Sequence, residues 1–320
     1  MLRSQSKAAW LGTALLTASA VAYSTAGFFT RLIDLDAWTI LFWRGLFAGL
    51  FLAGFIAWQE WRRLGEAIRA IGGEGLLVAL CSALATVCFL NAMRLTSVAD
   101  VMVIGATGPF LTAALAWLLI GEREDLVTLM ASLVALLGVA VMAGGALPEG
   151  RLLGDLLAFV MTALMALVMV LIRRKRGVSM LPAVCLSTFL CAAIVVPWAR
   201  PLAAGGHDLF LLALFGSTQF GLGLLLLTLG MRLVSAPRAA LINALDTPLA
   251  PLWVWLAFGE VPAGATIVGG LIVMAAVVGD VGLKQLKERP REQPSVVRCT
   301  VKPMLDDAIR RPSTALDEVR

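Results

Sequence analysis

The chain has 320 residues, of which 60% are apolar and 15% are charged, and its mean hydropathy is +0.90. Soluble globular proteins average roughly 45–50% apolar and about 25% charged residues, so this composition excludes a soluble cytosolic or secreted enzyme. The net charge of +5 does not indicate nucleic-acid binding, because the basic residues lie scattered between apolar runs. The composition indicates a polytopic membrane protein.

Ten apolar segments follow one another along the chain, and each is close to the roughly 20 residues that cross a bilayer as a helix. They lie at residues 9–30, 38–58, 75–93, 99–120, 126–145, 153–172, 180–199, 209–231, 236–258 and 264–283. They lack the alternation of outer-membrane β-strands, so we predict an all-α protein with ten transmembrane helices. Residues 286–320 are rich in charge and proline and predict a disordered cytoplasmic tail.

The positive charges predict the orientation of the spans. With a cytoplasmic amino terminus, the segments on the cytoplasmic side hold sixteen Lys and Arg residues, and those on the other side hold four. Cytoplasmic loops of membrane proteins carry an excess of Lys and Arg. We therefore expect both termini in the cytoplasm.

The two halves of the chain are similar in sequence. Shifts of 138 and 142 residues superimpose equivalent positions: Met93-Arg94-Leu95 on Met231-Arg232-Leu233, Ser97 on Ser235, Gly121-Glu122 on Gly259-Glu260, and Arg31 on Arg173. The shifts relate two repeats of five helices each, at residues 8–145 and 153–285. Because five is an odd number, the second repeat enters the membrane upside down. Inverted repeats are typical of secondary transporters, whose halves rock about a site near the bilayer midplane.

Three segments carry a further pattern: Phe42-Trp43-Arg44, then Ala92 to Ala99 with Pro109 and Gly121-Glu122, then Gly230 to Ala236 with Pro248 and Gly259-Glu260. In this order, the chain resembles the drug/metabolite transporter (DMT) superfamily, and within it the EamA-type ten-helix transporters, over residues 8–285. The resemblance implies export or uptake of small organic solutes across the inner (plasma) membrane. It also implies a cavity lined by spans 1, 3, 4, 6, 8 and 9. Span 7 has Ser187-Thr188 near the position of Trp43-Arg44, so it does not copy span 2.

Asp246 lies near the middle of span 9, eleven residues after Ser235. A charged carboxylate at the bilayer centre costs on the order of a few kcal/mol, so Asp246 should face a cavity or a partner. There it could carry a coupling proton and bind a cationic group of the substrate. The alternative is a protonated carboxyl that hydrogen-bonds between helices and only supports packing.

An outer polar layer is predicted from three residues at similar depth. Arg44 in span 2 and Tyr23 in span 1 each lie about seven residues, roughly 10 Å, from the outer ends of their spans, and Asn91 lies near the outer end of span 3. Together they could bind a carboxylate or a ring amide of the substrate. Because Arg44 stays charged, it needs a partner or water. It could instead extend toward the interface or pair with Asp36 or Asp100.

Two amides are predicted near the midplane. Gln219 lies ten residues into span 8, and Asn243 precedes Asp246 by three residues, so that Asn243 and Asp246 share one face of span 9. We expect both amides to face the interior of the bundle. The two amides could bind the substrate, or they could form hydrogen bonds between helices.

Two prolines occupy equivalent positions in the repeats. Pro109 in span 4 and Pro248 in span 9 predict a kink in each helix. Paired discontinuities mark moving elements in transporters, so we assign both prolines to helix kinking and gating. Gly45 and Gly49 form a G-x-x-x-G motif in span 2, which favours close helix packing and could also support a homodimer.

These features predict a secondary transporter of a small organic metabolite, which could be amino-acid-like, nucleobase-like or drug-like. We expect proton-coupled efflux by alternating access, with an uptake carrier or exchanger of the same fold as the alternative. The expected partners are the substrate, the lipid bilayer and protons, and no nucleic acid.

An intramembrane lipid-modifying enzyme is the alternative from another class. It would need a nucleophile beside a base, a metal cluster or two aspartates at matching depth. The single histidine, His207, lies in a loop, and Asp246 is the one deep acid. The sequence has no G-x-x-x-x-G-K-[ST] motif for ATP binding. We therefore expect no enzyme activity, no metal and no cofactor.

Overall fold

The computed structural model describes residues 2–60, 72–143, 152–175 and 179–288. The elements within these ranges are α-helices, with one 3₁₀ turn and one π-helical segment. Eight helices are long and apolar enough to cross a membrane, and two shorter apolar helices at 126–142 and 181–195 complete the predicted set. The all-α prediction of ten membrane helices is confirmed.

The helices of the first repeat are α1a (Leu2–Ser24), α1b (Ala26–Leu32), α2 (Ala37–Glu60), α3 (Gly72–Leu95), α4a (Val98–Gly105), α4b (Gly108–Ile120) and α5 (Leu126–Met142). Those of the second are α6 (Leu152–Arg174), α7 (Leu181–Val195), α8a (Gly206–Leu214), the π-helical segment Phe215–Gly221, α8b (Leu222–Met231), α9a (Ala236–Asn243), α9b (Asp246–Phe258) and α10 (Gly264–Glu288). α10 runs to 288, past the predicted end of the repeat at 285. The rest of the predicted tail lies outside the described residues.

The two repeats agree in backbone geometry under the shift of 138 residues. α4a and α9a have 8 residues each, and α4b and α9b have 13 each. Ser97 and Ser235 precede the first pair, while Gly121 and Gly259 end the second pair with φ of 67° and 70°. Glycine adopts this left-handed conformation readily and ends helices in this way. The inverted repeat of the sequence is therefore also a repeat of structure.

The first helix of each repeat packs against the other repeat. α1a packs along α8b, and α6 packs along α3. A Cβ on Gly12 would lie 2.7 Å from the side chain of Leu233, and a Cβ on Gly154 would lie 2.7 Å from that of Thr96. The two contacts are equivalent under the repeat. The halves are therefore interlocked by a pseudo-twofold pair of glycine contacts.

Contacts between helix ends define two faces of the bundle, and we name the face where α1a begins the amino-terminal face. On the opposite face, Trp43 Nε1 donates to the Pro201 carbonyl at 3.2 Å, and the Arg200 N–H donates to Thr39 Oγ1 at 2.8 Å. These bonds join the start of α2 to the chain that follows α7. The start of α2 and the end of α7 therefore lie on the same face, as the inverted topology requires.

A buried ion pair lies near the amino-terminal face. Arg238 Nε in α9a donates to Asp280 Oδ2 in α10 at 2.9 Å, and Thr128 Oγ1 in α5 donates to Asp280 Oδ1 at 2.6 Å. The Asp280 side chain is fully buried, and that of Arg238 nearly so. The three residues hold the first half of helix 9 against α5 and α10.

The G-x-x-x-G motif of α2 faces α7 of the same chain. A Cβ on Gly45 would lie 3.1 Å from the Thr188 carbonyl oxygen, and a Cβ on Gly49 would lie 2.7 Å from the Phe189 ring. The small residues therefore allow close packing of two helices within one chain.

Candidate functional site

Three membrane helices are interrupted within their spans, between α1a and α1b, between α4a and α4b, and between α9a and α9b. Pro109 and Pro248 lie near the start of α4b and α9b and have no N–H to donate to the carbonyls of Gly105 and Ala244 one turn earlier. Each predicted kink position therefore coincides with a break. Broken helices of this kind expose backbone groups for solute binding in transporters.

Hydroxyl groups accompany the break in α1. Ser24 Oγ donates to the Val21 carbonyl at 2.7 Å, and Thr25 Oγ1 donates to the Ala22 carbonyl at 2.7 Å. Such bonds to the preceding turn bend helices. Trp253 Nε1 in α9b donates to Ser24 Oγ at 2.8 Å. The break in α1 is thereby held to the second half of helix 9.

The π-helical segment of helix 8, Phe215–Gly221, packs closely on α2. A Cβ on Gly216 would lie 2.7 Å from the Phe47 side chain, and a Cβ on Gly221 would lie 2.9 Å from the Phe51 ring. π-helical segments are rare and often occur at functional sites. The glycines bring this segment against the middle of α2.

Gln219 connects the π-helical segment to the break in α1. Its Nε2 donates to the Tyr23 carbonyl at 3.1 Å, and the residue is only 3% exposed. Its Oε1 is buried and has no hydrogen-bond partner among the described residues. An unpaired buried acceptor costs free energy. This oxygen can therefore accept a hydrogen bond from a bound solute.

Tyr23 lies at the centre of the cluster. A Cβ on Gly223 would lie 3.0–3.2 Å from three atoms of the Tyr23 ring, so the ring packs directly on the backbone of α8b. The Tyr23 ring centroid lies 6.5 Å from that of Phe220, the ring over which the Arg44 guanidinium lies. Tyr23 is therefore connected to the arginine of α2 through Phe220.

Arg44 stacks on aromatic rings of the π-helical segment. Its Cζ lies 4.4 Å from the Phe220 ring centroid and 5.6 Å from that of Phe215. Its Nε is buried without a hydrogen-bond partner, and within the described residues it forms no ion pair. Arg44 therefore lies against ring faces, and no described carboxylate neutralises its charge.

The two carboxylates considered as partners of Arg44 bind other groups. Asp100 Oδ2 accepts from Ser97 Oγ at 2.7 Å. Asp36 accepts from Thr39 Oγ1 at 2.7 Å and from the Thr39 N–H at 3.0 Å. Partial burial alone would raise the pKa of Asp36, but these hydrogen bonds outweigh it, and the pKa is lowered. Neither carboxylate anchors Arg44.

Asp246 is the first residue of α9b, where the positive end of the helix dipole favours a negative charge. Thr247 Oγ1 donates to Asp246 Oδ1 at 3.1 Å. Asn243, the last residue of α9a, has a buried Oδ1 without a partner in the described part of the chain. The break in helix 9 thus presents a carboxylate and an unpaired amide oxygen.

The structure brings together Tyr23, Arg44 and Gln219, whereas no described hydrogen bond or ring contact joins Asp246 or Asn91 to them. Asn91 Nδ2 donates to the Val87 carbonyl at 2.8 Å in its own helix. No described hydrogen bond joins it to the cluster. Its proposed role in binding stays a prediction.

The sequence did not predict that Phe215 and Phe220 would both lie beside Arg44. We call these two rings the aromatic platform. The signal available was the segment Phe215–Gly221, F-G-S-T-Q-F-G, in which glycines alternate with aromatic and amide residues. A pattern of this kind does not by itself predict a π-helix.

Two ion pairs lie on opposite faces and are equivalent under the repeat. Arg31 at the end of α1b pairs with Glu260 after α9b on the opposite face. Arg173 at the end of α6 pairs with Glu122 after α4b on the amino-terminal face, with 3.4 Å between Nε and Oε1. We name them the opposite-face ion pair and the amino-terminal ion pair. Each joins one repeat to the other.

The two ion pairs differ in burial. The Arg31 side chain is 46% exposed and that of Glu260 is 50% exposed, whereas the Arg173 side chain is only 13% exposed. Arg173 Nη1 also donates to the Arg232 carbonyl at 3.0 Å. The amino-terminal ion pair is therefore less hydrated and more firmly anchored.

An apolar contact lies next to each ion pair. On the opposite face, the rings of Phe28 and Phe258 are 5.9 Å apart. The equivalent residues on the amino-terminal face, Val170 and Ile120, belong to one apolar cluster in which Val170 is fully buried. Each ion pair thus lies beside an apolar contact between the two repeats.

In the described residues, no group of three or more His, Cys, Asp or Glu side chains is arranged to hold a metal ion.

Comparison with known proteins gives one family. The EamA-like transporter family matches twice, over residues 10–144 and 152–279. A crystal structure is similar in fold, with a TM-score of 0.70 and 17% sequence identity, over 86% of this chain and 98% of the other. No curated protein matches the sequence.

Proposed function

Because the chain belongs to the EamA-like transporter family, we propose that it exports a small organic metabolite in exchange for protons by alternating access. The family and the apolar helices make it a multi-pass membrane transporter that moves a small-molecule substrate across a lipid bilayer. We place it in the inner membrane with both termini in the cytoplasm, because basic residues are concentrated on the amino-terminal side.

The observation that carries the proposal is a set of unpaired polar atoms in α2, the π-helical segment and the break of helix 9. Arg44 Nε, Gln219 Oε1 and Asn243 Oδ1 are buried without hydrogen-bond partners among the described residues, as is Glu74 Oε2 at the start of α3. Buried polar groups are otherwise nearly always hydrogen-bonded. A solute with both donors and acceptors would satisfy the first three of these atoms. The cluster therefore has the chemistry of a binding site for a small polar molecule.

Asp246 is the proposed proton carrier. A carboxyl group in a membrane span can alternate between its charged and neutral forms as its access to water changes. Its place at the break of helix 9 couples that change to the movement of α9b.

The paired closures at the two faces support alternating access. A carrier of this type must open one face while the other stays shut. The opposite-face and amino-terminal ion pairs each join the two repeats, so breaking either one would let the repeats separate at that face. Pro109 and Pro248 would act as hinges, since the helix breaks lie beside them.

The known members of a transporter family give no reason to expect catalysis. We propose that the chain has no enzyme activity, because the family that its sequence matches is a transporter family.

The test begins with a metabolite panel. Intracellular metabolites are compared between deletion and overexpression strains to select a solute that falls on overexpression. The purified protein in liposomes should then take up that solute when the lumen is more acidic than the medium.

Asp246→Asn should reduce the gradient-driven uptake to that of empty liposomes, while exchange of solute for solute continues. Asp34→Asn, an exposed aspartate between α1b and α2, is the matched control and should retain wild-type uptake. Full pH-dependent uptake by Asp246→Asn would contradict the proton role of this residue.

A further inference from the structure

We infer that the transported solute carries a carboxylate and that Arg44, positioned by the face of Phe220, binds this group. The inference rests on the proposed function and names the chemical class of its substrate. It assigns the anion subsite to α2, which lies outside the set of spans that the family resemblance gives as cavity-lining.

The environment of Arg44 is not that of a structural arginine. Structural arginines inside membranes pair with carboxylates or backbone carbonyls. Arg44 forms no ion pair within the described residues, and its Nε is buried without a partner. The guanidinium group keeps its charge at any physiological pH. An unmatched cation in the bundle is therefore available to an anion.

Stacking leaves the donors of Arg44 free. The guanidinium group is planar, and its five N–H donors lie in that plane. The Phe220 ring centroid lies 4.4 Å from Cζ, and a phenyl ring offers no oxygen or nitrogen acceptor, so this contact leaves the conventional hydrogen-bonding capacity of the group unused. A carboxylate accepts two parallel hydrogen bonds from an edge of such a group. The contact with Phe220 holds the Arg44 guanidinium group in place before the solute binds.

The π-helical segment explains why two rings flank one arginine. Phe215 and Phe220 are five residues apart, which places residues about 140° apart around an α-helix. A π-helix bonds residue i to residue i+5, so that these two residues come to the same side of the helix. Both rings then lie near Arg44, at 5.6 Å and 4.4 Å. The irregular turn of helix 8 thus builds the platform.

The surrounding charges favour a singly charged group. Arg44 supplies one positive charge, and no described ion pair adds a second cation beside it. A phosphate ester would carry about two negative charges near neutral pH, one more than Arg44 balances. A carboxylate balances Arg44 alone, while Asp246 and the Gln219 Oε1 remain for the donor groups of the solute.

The subsite occurs in one repeat. α7 carries Ser187 and Thr188 near the equivalent place, and their hydroxyls donate to carbonyls of their own helix, at 2.7 Å and 2.8 Å. The anion subsite is therefore confined to the half of the cavity formed by α2 and helix 8.

The test measures binding to the purified full-length protein in detergent by thermal stabilisation. The probes are four carboxylates with their matching amides: benzoate and benzamide, succinate and succinamide, leucine and leucinamide, and tryptophan and tryptophanamide. Phenyl phosphate is added as a doubly charged probe. At least one carboxylate should stabilise the wild-type protein, and its amide should not.

Arg44→Gln should raise the apparent dissociation constant of that carboxylate at least about tenfold, because a charge-assisted hydrogen bond is lost. Arg44→Lys should restore binding only in part, since lysine keeps the charge without the planar edge. Phe220→Leu should weaken binding several-fold although the charge is intact. This variant also tests the subsite if Arg44→Gln does not fold.

Arg94→Gln is the matched control. Arg94 also lies over a ring, 5.7 Å from the centroid of Trp38, but at the exposed end of α3. It should bind the carboxylate as the wild type does. Three results would overturn the inference: equal binding of carboxylate and amide, tighter binding of phenyl phosphate, or an unchanged carboxylate preference in Arg44→Gln.

The result separates the subsite from the transport function. Carboxylate binding through Arg44 without any transport in liposomes would leave the subsite standing and contradict the proposed function. Proton-driven transport that is unchanged in Arg44→Gln would support the proposed function and contradict the carboxylate subsite.

Discussion

Arg238 and Asp280 form an ion pair inside the bundle that serves structure and not substrate binding. Both are buried, and Thr128 completes the hydrogen bonding of the carboxylate. A buried charge that loses its partner is strongly destabilising, whereas replacement of both charges by apolar residues is often tolerated.

Asp280→Asn and Arg238→Met should therefore each lower the free energy of unfolding by about 3–5 kcal/mol. The double variant Arg238→Met/Asp280→Leu should regain a large part of that loss. Thermal unfolding in detergent measures all three. Losses in the double variant equal to the sum of the single losses would show that the two charges act independently.

At the level of single residues, the sequence predicted which polar groups would lie inside the bundle but not which would meet. Asp246 and Gln219 could be placed near the midplane because depth follows from position along a helix. The contact between Gln219 and the Tyr23 carbonyl joins residues 196 positions apart and depends on the packing of helix 8 on helix 1. The stacking of Arg44 on Phe220 depends in addition on the π-helical segment.

At the level of elements, the packing of α1a on α8b and of α6 on α3 requires a glycine at each closest approach. A side chain in place of Gly154 or Gly12 would overlap Leu95, Thr96 or Leu233. Overpacking of this kind forces helices apart.

Gly154→Leu and Gly12→Leu should each destabilise the protein by about 1–3 kcal/mol or more. Gly54→Leu is the matched control, because a Cβ on Gly54 would meet no atom within 4 Å, and it should retain wild-type stability. Thermal unfolding followed by size-exclusion chromatography gives the comparison. Equal stability of all three variants would refute the role of the glycine contacts.

The element boundaries were predictable where the chain carries local signals. Pro109 and Pro248 mark the breaks of helices 4 and 9 because proline removes a backbone donor. The break of α1 at Thr25 has no proline or glycine at that residue and rests on hydroxyl bonds and on Trp253. Such a break follows from tertiary contacts, which local sequence patterns do not encode.

On the scale of the whole molecule, two equivalent ion pairs close the two faces unequally. Exposed ion pairs contribute little, with a median of about 0–1 kcal/mol. The opposite-face ion pair is of this kind. In the amino-terminal ion pair, the Arg173 side chain is only 13% exposed, while that of Glu122 is 38% exposed, and Arg173 also donates to a backbone carbonyl.

Glu122→Gln should open the amino-terminal face, and Glu260→Gln should open the opposite face by a smaller amount. Distances between spin labels across each face, measured by electron paramagnetic resonance, report the opening. The charge-reversed pair Arg31→Glu/Glu260→Arg should return the opposite face to its wild-type distance. Identical distance distributions in wild type and Glu122→Gln would rule out a gating role for the amino-terminal pair.

The unequal strength of the two closures bears on the order of events in a transport cycle. Net direction is set by the gradients of solute and proton, because a difference in gate strength changes rates and populations only. Because Arg173 is held by a second bond, we expect the empty carrier to favour the state open to the exterior, in the proposed orientation. Protonation of Asp246 from the exterior would then precede the inward turn, and raising the external pH should slow the return of the carrier to the cytoplasmic side.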